Sequence, residues 1–254
     1  MLSILSLNLR FGLADDGPNN WVHRQKIFPS FLEKHMADFM GFQESNDFQT
    51  DFLEDILREY RMIGKRSPAP RFWQNNIIFY KKEWECVHYE HLFLSPTPTI
   101  PSRFPKSKWP RQCTIGMFER DGTRVICVNT HFDFDAEVQT DSAVFIMERL
   151  SRLPSDLPTL VMGDFNATPS RPCYQVFTGQ HPAPDTKGPY FRSVFSEPFP
   201  ATFHGFTGST DGKHIDWILW SGGLAFEKSE VIHDAIDGMY PSDHFPVFAT
   251  FRIL

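Results

Sequence analysis

The sequence predicts an α/β protein of two stacked β-sheets with helices on their outer surfaces, and three observations predict it. Short apolar runs rich in Ile, Val, Leu and Phe recur along the chain and outnumber the helical stretches. Between them lie apolar stripes of helical period, each facing a core. The chain shows no internal repeat and no interdomain linker, so residues 1–254 are expected to bury these faces against one another as one layered domain.

Taken in order, strands are predicted at residues 2–9, 39–43, 76–80, 124–130, 159–163, 215–220 and 246–251. A helix is predicted where Phe48, Phe52, Ile56 and Tyr60 recur every fourth residue with Leu53 and Leu57 beside them. A second covers 136–153, with Val138, Phe145, Met147 and Leu150 apolar and Pro154 stopping it. Residues 21–35 suggest a third, bent or begun near Pro29. Two stretches read as long loops, 95–112 with five prolines and 179–213 rich in Gly and Pro, and loops of this length are often functional.

Composition narrows the function. With 25 Lys and Arg against 31 Asp and Glu the formal charge is −6, so binding of nucleic acid through overall charge is excluded and only a local basic patch is left for it. Aromatic residues make up 15%, including 26 Phe, which excludes a disordered chain and leaves rings for both a core and a lined cleft. Cys86, Cys113, Cys127 and Cys173 lack the paired spacing of zinc sites and read as reduced, structural thiols. No apolar run is long enough for a membrane span. The first seven residues lack a basic segment before their apolar run, so no signal peptide and a cytoplasmic location are expected.

The informative residues are the polar ones that interrupt strand ends, because a buried polar group without a partner is costly. The alternation in 5–10 puts Ser6, Asn8 and Arg10 on one side and Leu5, Leu7 and Leu9 on the other, so Asn8 is expected to leave the core face. Glu44 follows a buried run directly, although it could simply sit near the positive end of the next helix. Asp164 and Asn166 share a side while Phe165 faces away; singly, each could merely shape a turn. Asn129 and His131 close another buried strand, where a lone His is more often structural. Asp216 lies inside a strand, where Asp is disfavoured, and Ser242-Asp243-His244 precedes the last strand. Singly, Asp216 could pair with a nearby Arg or Lys and the Ser-Asp-His run could be a capped turn. Together, carboxylates, carboxamides and imidazoles at like topological places suggest one site. Oxygen donors without thiolates suit Mg²⁺ or Mn²⁺ better than zinc, which points to phosphate-ester chemistry.

Six segments in this order, Ser6-Leu7-Asn8, Gln43-Glu44, Asn129-Thr130-His131, Gly163-Asp164-Phe165-Asn166, Ile215-Asp216-Trp217 and Ser242-Asp243-His244, make the chain resemble the endonuclease/exonuclease/phosphatase superfamily, the deoxyribonuclease I-like proteins. The resemblance spans nearly the whole chain. It implies a four-layer α/β/β/α sandwich, with two mostly antiparallel or mixed sheets packed face to face, helices outside, and the site at one edge of both sheets. It implies Glu44 as the principal metal carboxylate, supported by Asn8 and Asp243. Asp164 would orient or deprotonate the attacking water, and Asn166 would position that water or bind a phosphate oxygen. His131 and His244 would donate to phosphoryl oxygens, with Asp216 or Asp243 holding His244. Whether an Asp or His244 is the base is left open.

His131 makes the site resemble the deoxyribonuclease, deadenylase and tyrosyl-DNA phosphodiesterase branches more than the abasic-site endonucleases, which carry Tyr at that place. Residues 100–112 and 202–206 resemble a bacterial subgroup whose substrates are unassigned. Arg103, Lys106, Lys108 and Arg111, interleaved with Phe104 and Trp109, form the densest basic stretch, either a footprint for a phosphorylated ligand or a solvated loop whose rings pack onto the body. Arg111 is the preferred extra phosphate contact, with Arg103, His204 and Trp73 as further candidates for binding substrate. The expectation is a Mg²⁺-dependent (or Mn²⁺-dependent) hydrolase of phosphate esters, a monomer acting on a small molecule or a nucleic-acid end with no obligatory protein partner. The alternatives are a DNA-processing nuclease or tyrosyl-DNA phosphodiesterase-like enzyme, and a non-catalytic binding module on the same fold. A lipid-cleaving role is disfavoured by the lack of a secretion signal and of an amphipathic basic helix.

Overall fold

The structure, a computed structural model, describes residues 1–66, 72–180 and 190–254. In chain order its elements are β1 (Leu2–Asn8), α1 (Trp21–Arg24), α2 (Phe28–Lys34), β2 (Phe39–Ser45), α3 (Asp47–Ile56), β3 (Tyr60–Ile63), β4 (Asn75–Lys81), β5 (Glu85–Phe93), β6 (Gln112–Arg120), β7 (Thr123–His131), α4 (Ala136–Leu150), β8 (Thr159–Asp164), α5 (Pro172–Thr178), β9 (Arg192–Ser193), β10 (Asp216–Ser221), β11 (Leu224–Val231) and β12 (Val247–Ile253). The strands form two six-stranded sheets, ordered β11-β12-β1-β2-β4-β3 and β5-β6-β7-β8-β10-β9. The β1–β2 and β7–β8 pairs are parallel; the other pairs are antiparallel.

The period of two sorts each strand between two cores. Leu2 and Ile4 of β1 join Phe39, Ile78, Phe118, Cys127, Leu160, Met162 and Ile218 between the sheets. Leu5 and Leu7 face outward and are covered by Trp21, Phe28, Phe31 and Leu53 of α1, α2 and α3. On the other side α4 and α5 cover Ile115, Val128, Val161 and Trp217. The result is helix, sheet, sheet, helix, the expected four-layer sandwich.

This layering corrects one expectation. Asn8 does not leave the core: a doubly covered sheet has two buried faces, and Asn8, 1% exposed, lies on the one that meets the opposite sheet. Two helices are shorter than the apolar periodicity suggests. α3 stops at Ile56, and Tyr60 begins β3 with its hydroxyl donating to the Ala37 carbonyl at 2.8 Å. α4 stops at Leu150, before Pro154. Residues 21–34 are interrupted as expected: a 3₁₀ turn at Gln25–Ile27 separates α1 from α2, and Pro29 sits in the first turn of α2, where its missing N–H is not needed. Five strands, β3, β5, β6, β9 and β11, and the helix α5 were not expected. The loop expected at 95–112 joins β5 to β6; of the loop expected at 179–213, residues 181–189 lie outside the described residues. No helix among the described residues is long and apolar enough to cross a membrane. The four cysteines are free, and burial pushes the Cys113 and Cys173 thiols up to about 12, which keeps them unreactive.

Candidate active site

Topology gathers the polar residues of the sequence motifs. In each parallel pair both strands end at the same edge, which sets Asn8 beside Gln43 and His131 beside Asp164 in register. β10 runs antiparallel to β8 and starts at that edge, so Asp216 pairs directly with Asp164. β12 runs antiparallel to β1, which brings the preceding His244 to the same place.

Asp164 is the hub. It is 2% exposed; Asn8 Nδ2 donates to its Oδ2 at 2.9 Å from the other sheet, and the Asn166 backbone N–H donates to its Oδ1 at 2.8 Å. Burial raises the pKa of this carboxyl and the neighbouring Asp216 raises it further, against the pull of His244. His244 lies with Nδ1 2.9 Å from Asp216 Oδ2 and Nε2 3.9 Å from Asp164 Oδ2. Burial opposes its charge, but Asp216 and Asp164 outweigh burial and push its pKa up to about 10, so the ring is an imidazolium fixed by Asp216. His131 is the opposite case. Burial, then Arg111 and His244, hold its pKa well below the usual value, so it is a neutral imidazole. Arg111 Nη1 donates to the His131 ring, 2.9 Å from Nδ1; Nε2 lies 3.0 Å from Asn166 Nδ2 and 3.4 Å from Asp164 Oδ2.

Glu44 sits at a break in the β2–β4 register with φ +58°, turned out of the ladder. The Phe11 N–H donates to its Oε2 at 2.6 Å, and Asn8 Nδ2 lies 3.3 Å from its Oε1. Asn8 thus meets both carboxylates with its amide nitrogen, while its Oδ1 accepts the Arg10 N–H. Asp243 accepts from the Ser242 hydroxyl and faces Arg10, with Nε 3.7 Å from Oδ2; Asp216, not Asp243, holds His244.

Charge decides whether a cation fits. Around the site the carboxylates Asp16, Glu44, Asp133, Asp164, Asp216 and Asp243 outnumber the guanidiniums Arg10, Arg24 and Arg111. Asp164, Asp216 and His244 also offer ligand atoms within 4.8 Å of one another, and Glu44 adds two carboxylate oxygens beside Asn8 and His131. A divalent cation with oxygen ligands matches both the charge and the donor chemistry.

Of the residues expected to bind substrate, Arg111 and Trp73 line a cavity of 530 Å³ with Arg10, Glu44, Gln74, Trp109, His131 and Phe134 among others. Arg103 and His204 are elsewhere. Arg103 is exposed and donates to the Lys108 carbonyl at 2.8 Å; His204 is buried, stacked on Phe245 at 3.8 Å between ring centres, behind the turn that carries His244.

Three residues escaped the sequence reading. Arg10, at φ +62°, is clamped by Asp16 through two hydrogen bonds and reaches the cavity; its alternation with Asn8 was the available signal. Asp133 stands two residues beyond His131 and is 2% exposed, taking hydrogen bonds from Ser107 and from backbone N–H groups of two loops. Arg24, fully buried, donates to the Leu9 carbonyl at 3.0 Å and to the Pro241 carbonyl, tying the end of β1 to the loop of Asp243 and His244; burial lowers its pKa to about 10.

Residues 5–244 match the model of the Endonuclease/Exonuclease/phosphatase family. Among solved structures, the mannosyl-6-phosphatase Bt3783 of Bacteroides thetaiotaomicron VPI-5482 superposes with a TM-score of 0.87 at 24% identity, each chain covered completely. D. rerio TDP2 complexed with a single-strand DNA product superposes with a TM-score of 0.76 at 18% identity, covering 99% of this chain and 98% of that one. Nocturnin of Drosophila melanogaster is 22% identical over 280 residues, which take in 92% of this chain but 42% of the length of Nocturnin.

Proposed function

This chain belongs to the endonuclease/exonuclease/phosphatase family, and from that premise we propose that it hydrolyses phosphate esters with a bound divalent cation, Mg²⁺ or Mn²⁺. The observation that carries this reading is the buried Asp164, flanked by Asn8 of the other sheet, neutral His131 and the Asp216–His244 pair. On this reading Asp164 holds the attacking water and accepts its proton, because a carboxyl whose affinity for a proton is raised suits a base. His244, charged and fixed by Asp216, donates to a phosphoryl oxygen as negative charge builds there. Asn166 and His131 orient the phosphate, and Arg111 lends its charge through His131. Glu44, with Asp243 and Asn8 nearby, would hold the cation, which when bound neutralises phosphate charge and polarises the ester.

A small phosphorylated molecule is the preferred substrate. The likeness to a mannosyl-6-phosphatase supports it, and so does the engagement of the basic stretch: Lys106 pairs with Glu137 and Arg103 with its own loop. A nuclease acting on DNA ends is the second reading, supported by the likeness to TDP2.

The test is a panel of bis-p-nitrophenyl phosphate, sugar phosphates, nucleotides and end-blocked DNA, each with Mg²⁺ or Mn²⁺ and with chelator. Hydrolysis that chelator and Glu44→Gln both abolish is expected. Failure to hydrolyse any of them with either metal would leave a non-catalytic binding module.

A further inference from the structure

The cavity beside Glu44 and His131 has walls unlike the rest of the surface. Phe72, Trp109 and Phe134 line it and are 70%, 52% and 62% exposed. They come from three separate stretches of chain, before β4, before β6 and after β7. Among the described residues none of the three rings pairs with another aromatic ring, in a chain that pairs its rings widely; the cations near Trp109 and Phe134 are Lys108 and Arg111. Exposed apolar groups gathered in one concave place mark a binding surface more often than chance exposure.

Nor are two of these rings exposed because their loops are loose. One buried carboxylate fixes both. Asp133 Oδ2 accepts from the Ser107 hydroxyl at 2.8 Å and from the Lys108 and Trp109 N–H groups at 2.9 and 3.4 Å, while Oδ1 accepts from the Phe134 N–H at 2.8 Å. The Trp109 carbonyl oxygen lies 2.6 Å from Ser107 Oγ as well, so the one hydroxyl proton is shared between it and Asp133. Trp109 and Phe134 are thus presented from a rigid support, and the ordering that stacking a ligand would otherwise require is already done.

The lining also fixes orientation. Glu44, Arg111 and His131 belong to both cavity and site, whereas Asp164, Asp216 and His244 do not line the cavity. An ester with phosphorus at the site therefore sends one substituent into the cavity, on the side away from His244. We propose that this substituent carries a ring, which stacks on Trp109 and Phe134 while Arg10 and Gln74 take its polar edge. Two ring sources share this chemistry, the apolar face of a sugar and the face of a nucleobase. The proposal rests on the hydrolase reading and names the substrate class of that site.

The experiment compares kcat/KM for a hexose 6-phosphate, a nucleoside 5′-monophosphate and ring-free glycerol phosphate in the wild type, Trp109→Ala, Trp109→Phe and Asp133→Asn. The wild type should favour one ring ester over glycerol phosphate by roughly ten-fold or more, and Trp109→Ala should erase that ratio, as losing one stacking contact does. Trp109→Phe should keep most of the ratio, and Asp133→Asn should lower it by loosening the support. The favoured ester identifies the ring. No ring preference, or equal losses on ring and ring-free esters in Trp109→Ala, overturns the proposal while the hydrolase reading stands. If no ester is turned over, the hydrolase reading fails alone, and calorimetry still decides: at least ten-fold tighter binding of one ring phosphate by wild type than by Trp109→Ala supports the ring site, and equal binding refutes it.

Discussion

Asn129 lies in one of the sequence motifs, yet the structure makes it a bolt between the sheets rather than a member of the site. Its Oδ1 accepts from Gln43 Nε2 at 2.7 Å, and its Nδ2 donates to the Phe42 and Ile77 carbonyls at 2.9 and 2.8 Å. Phe42 and Ile77 are the last facing pair before the β2–β4 register breaks, so a side chain from the opposite sheet clamps the ladder at that point. Gly41 makes room for it: a Cβ there would come within 3.0 Å of Asn129 Cγ and closer still to Met162. Asn129→Ala removes three buried hydrogen bonds of roughly 1 kcal/mol each and takes a donor from two buried carbonyls, while the Gln43 amide keeps Ser6 and the Gly41 carbonyl, so the loss should be about 3 to 5 kcal/mol. At about 2 to 4 °C per kcal/mol for a chain of this size, Tm should fall by roughly 10 °C or more. Urea unfolding of wild type, Gln43→Ala, Asn129→Ala and the double variant measures it, with a coupling of about 1 kcal/mol expected between the two residues. A stability loss below about 1 kcal/mol together with abolished turnover would refute the reasoning and make Asn129 a contact of the substrate.

Asp164→Asn and His244→Ala should each lower kcat/KM by about 2 to 4 kcal/mol of transition-state stabilisation, with the unfolding midpoint close to wild type in Asp164→Asn and lowered in His244→Ala, which leaves Asp216 buried without its cation; steady-state kinetics beside denaturation read both. Gly163→Ala should be lost as folded protein or lose about 3 kcal/mol or more, because Gly163 stands at φ +151° and an added Cβ would meet the Thr130 carbonyl oxygen at 2.0 Å; soluble yield and Tm check it. Asp133 should govern part of the acid limb. Burial raises its pKa, but Ser107, the Asp135 and Phe134 N–H groups and Arg111 together bring it below the usual carboxylate value. A depressed folded pKa contributes stability that is full above about pH 4 and is lost as pH falls through the folded value, so Asp133→Asn should flatten stability against pH in that window. An unchanged acid limb would assign it to other carboxylates.

What could be read from the sequence, and what could not, follows from burial. The strands found from their apolar runs, such as β1, β2, β7 and β8, lie inside the sheets and are covered on both faces, so each carries apolar residues on both faces, in runs such as Val125–Val128 and Leu160–Met162. Among those missed, β3, β5, β9 and β11 are sheet edges. Residues such as Glu85, His88, Glu227 and Lys228 face water there and dilute the pattern, as edges generally do. β6 is interior but carries Gly116, which reads as a break; it is glycine because a Cβ would strike the Phe118 ring at 2.4 Å.

The site divides in the same way. Asn8, Glu44, His131, Asp164, Asp216 and His244 were legible because each interrupts or ends an apolar strand, and topology then delivers them to one edge. Arg103 was chosen from a basic stretch interleaved with aromatic rings and His204 as a ring that could line a cleft, with no strand end to fix either, and they lie apart from the cavity. Asp133 and Arg24 had no pattern to betray them, since their work is holding loops through backbone groups that no side-chain alternation encodes. The same holds for Asn129, which the motif delivers with His131 on one face of β7. The pair is split only by depth: Asn129, two residues back from the strand end, meets the other sheet, while His131, at the end itself, meets Asp164. At a sandwich edge, two residues along a strand separate a side chain that holds the layers together from one that can reach a substrate.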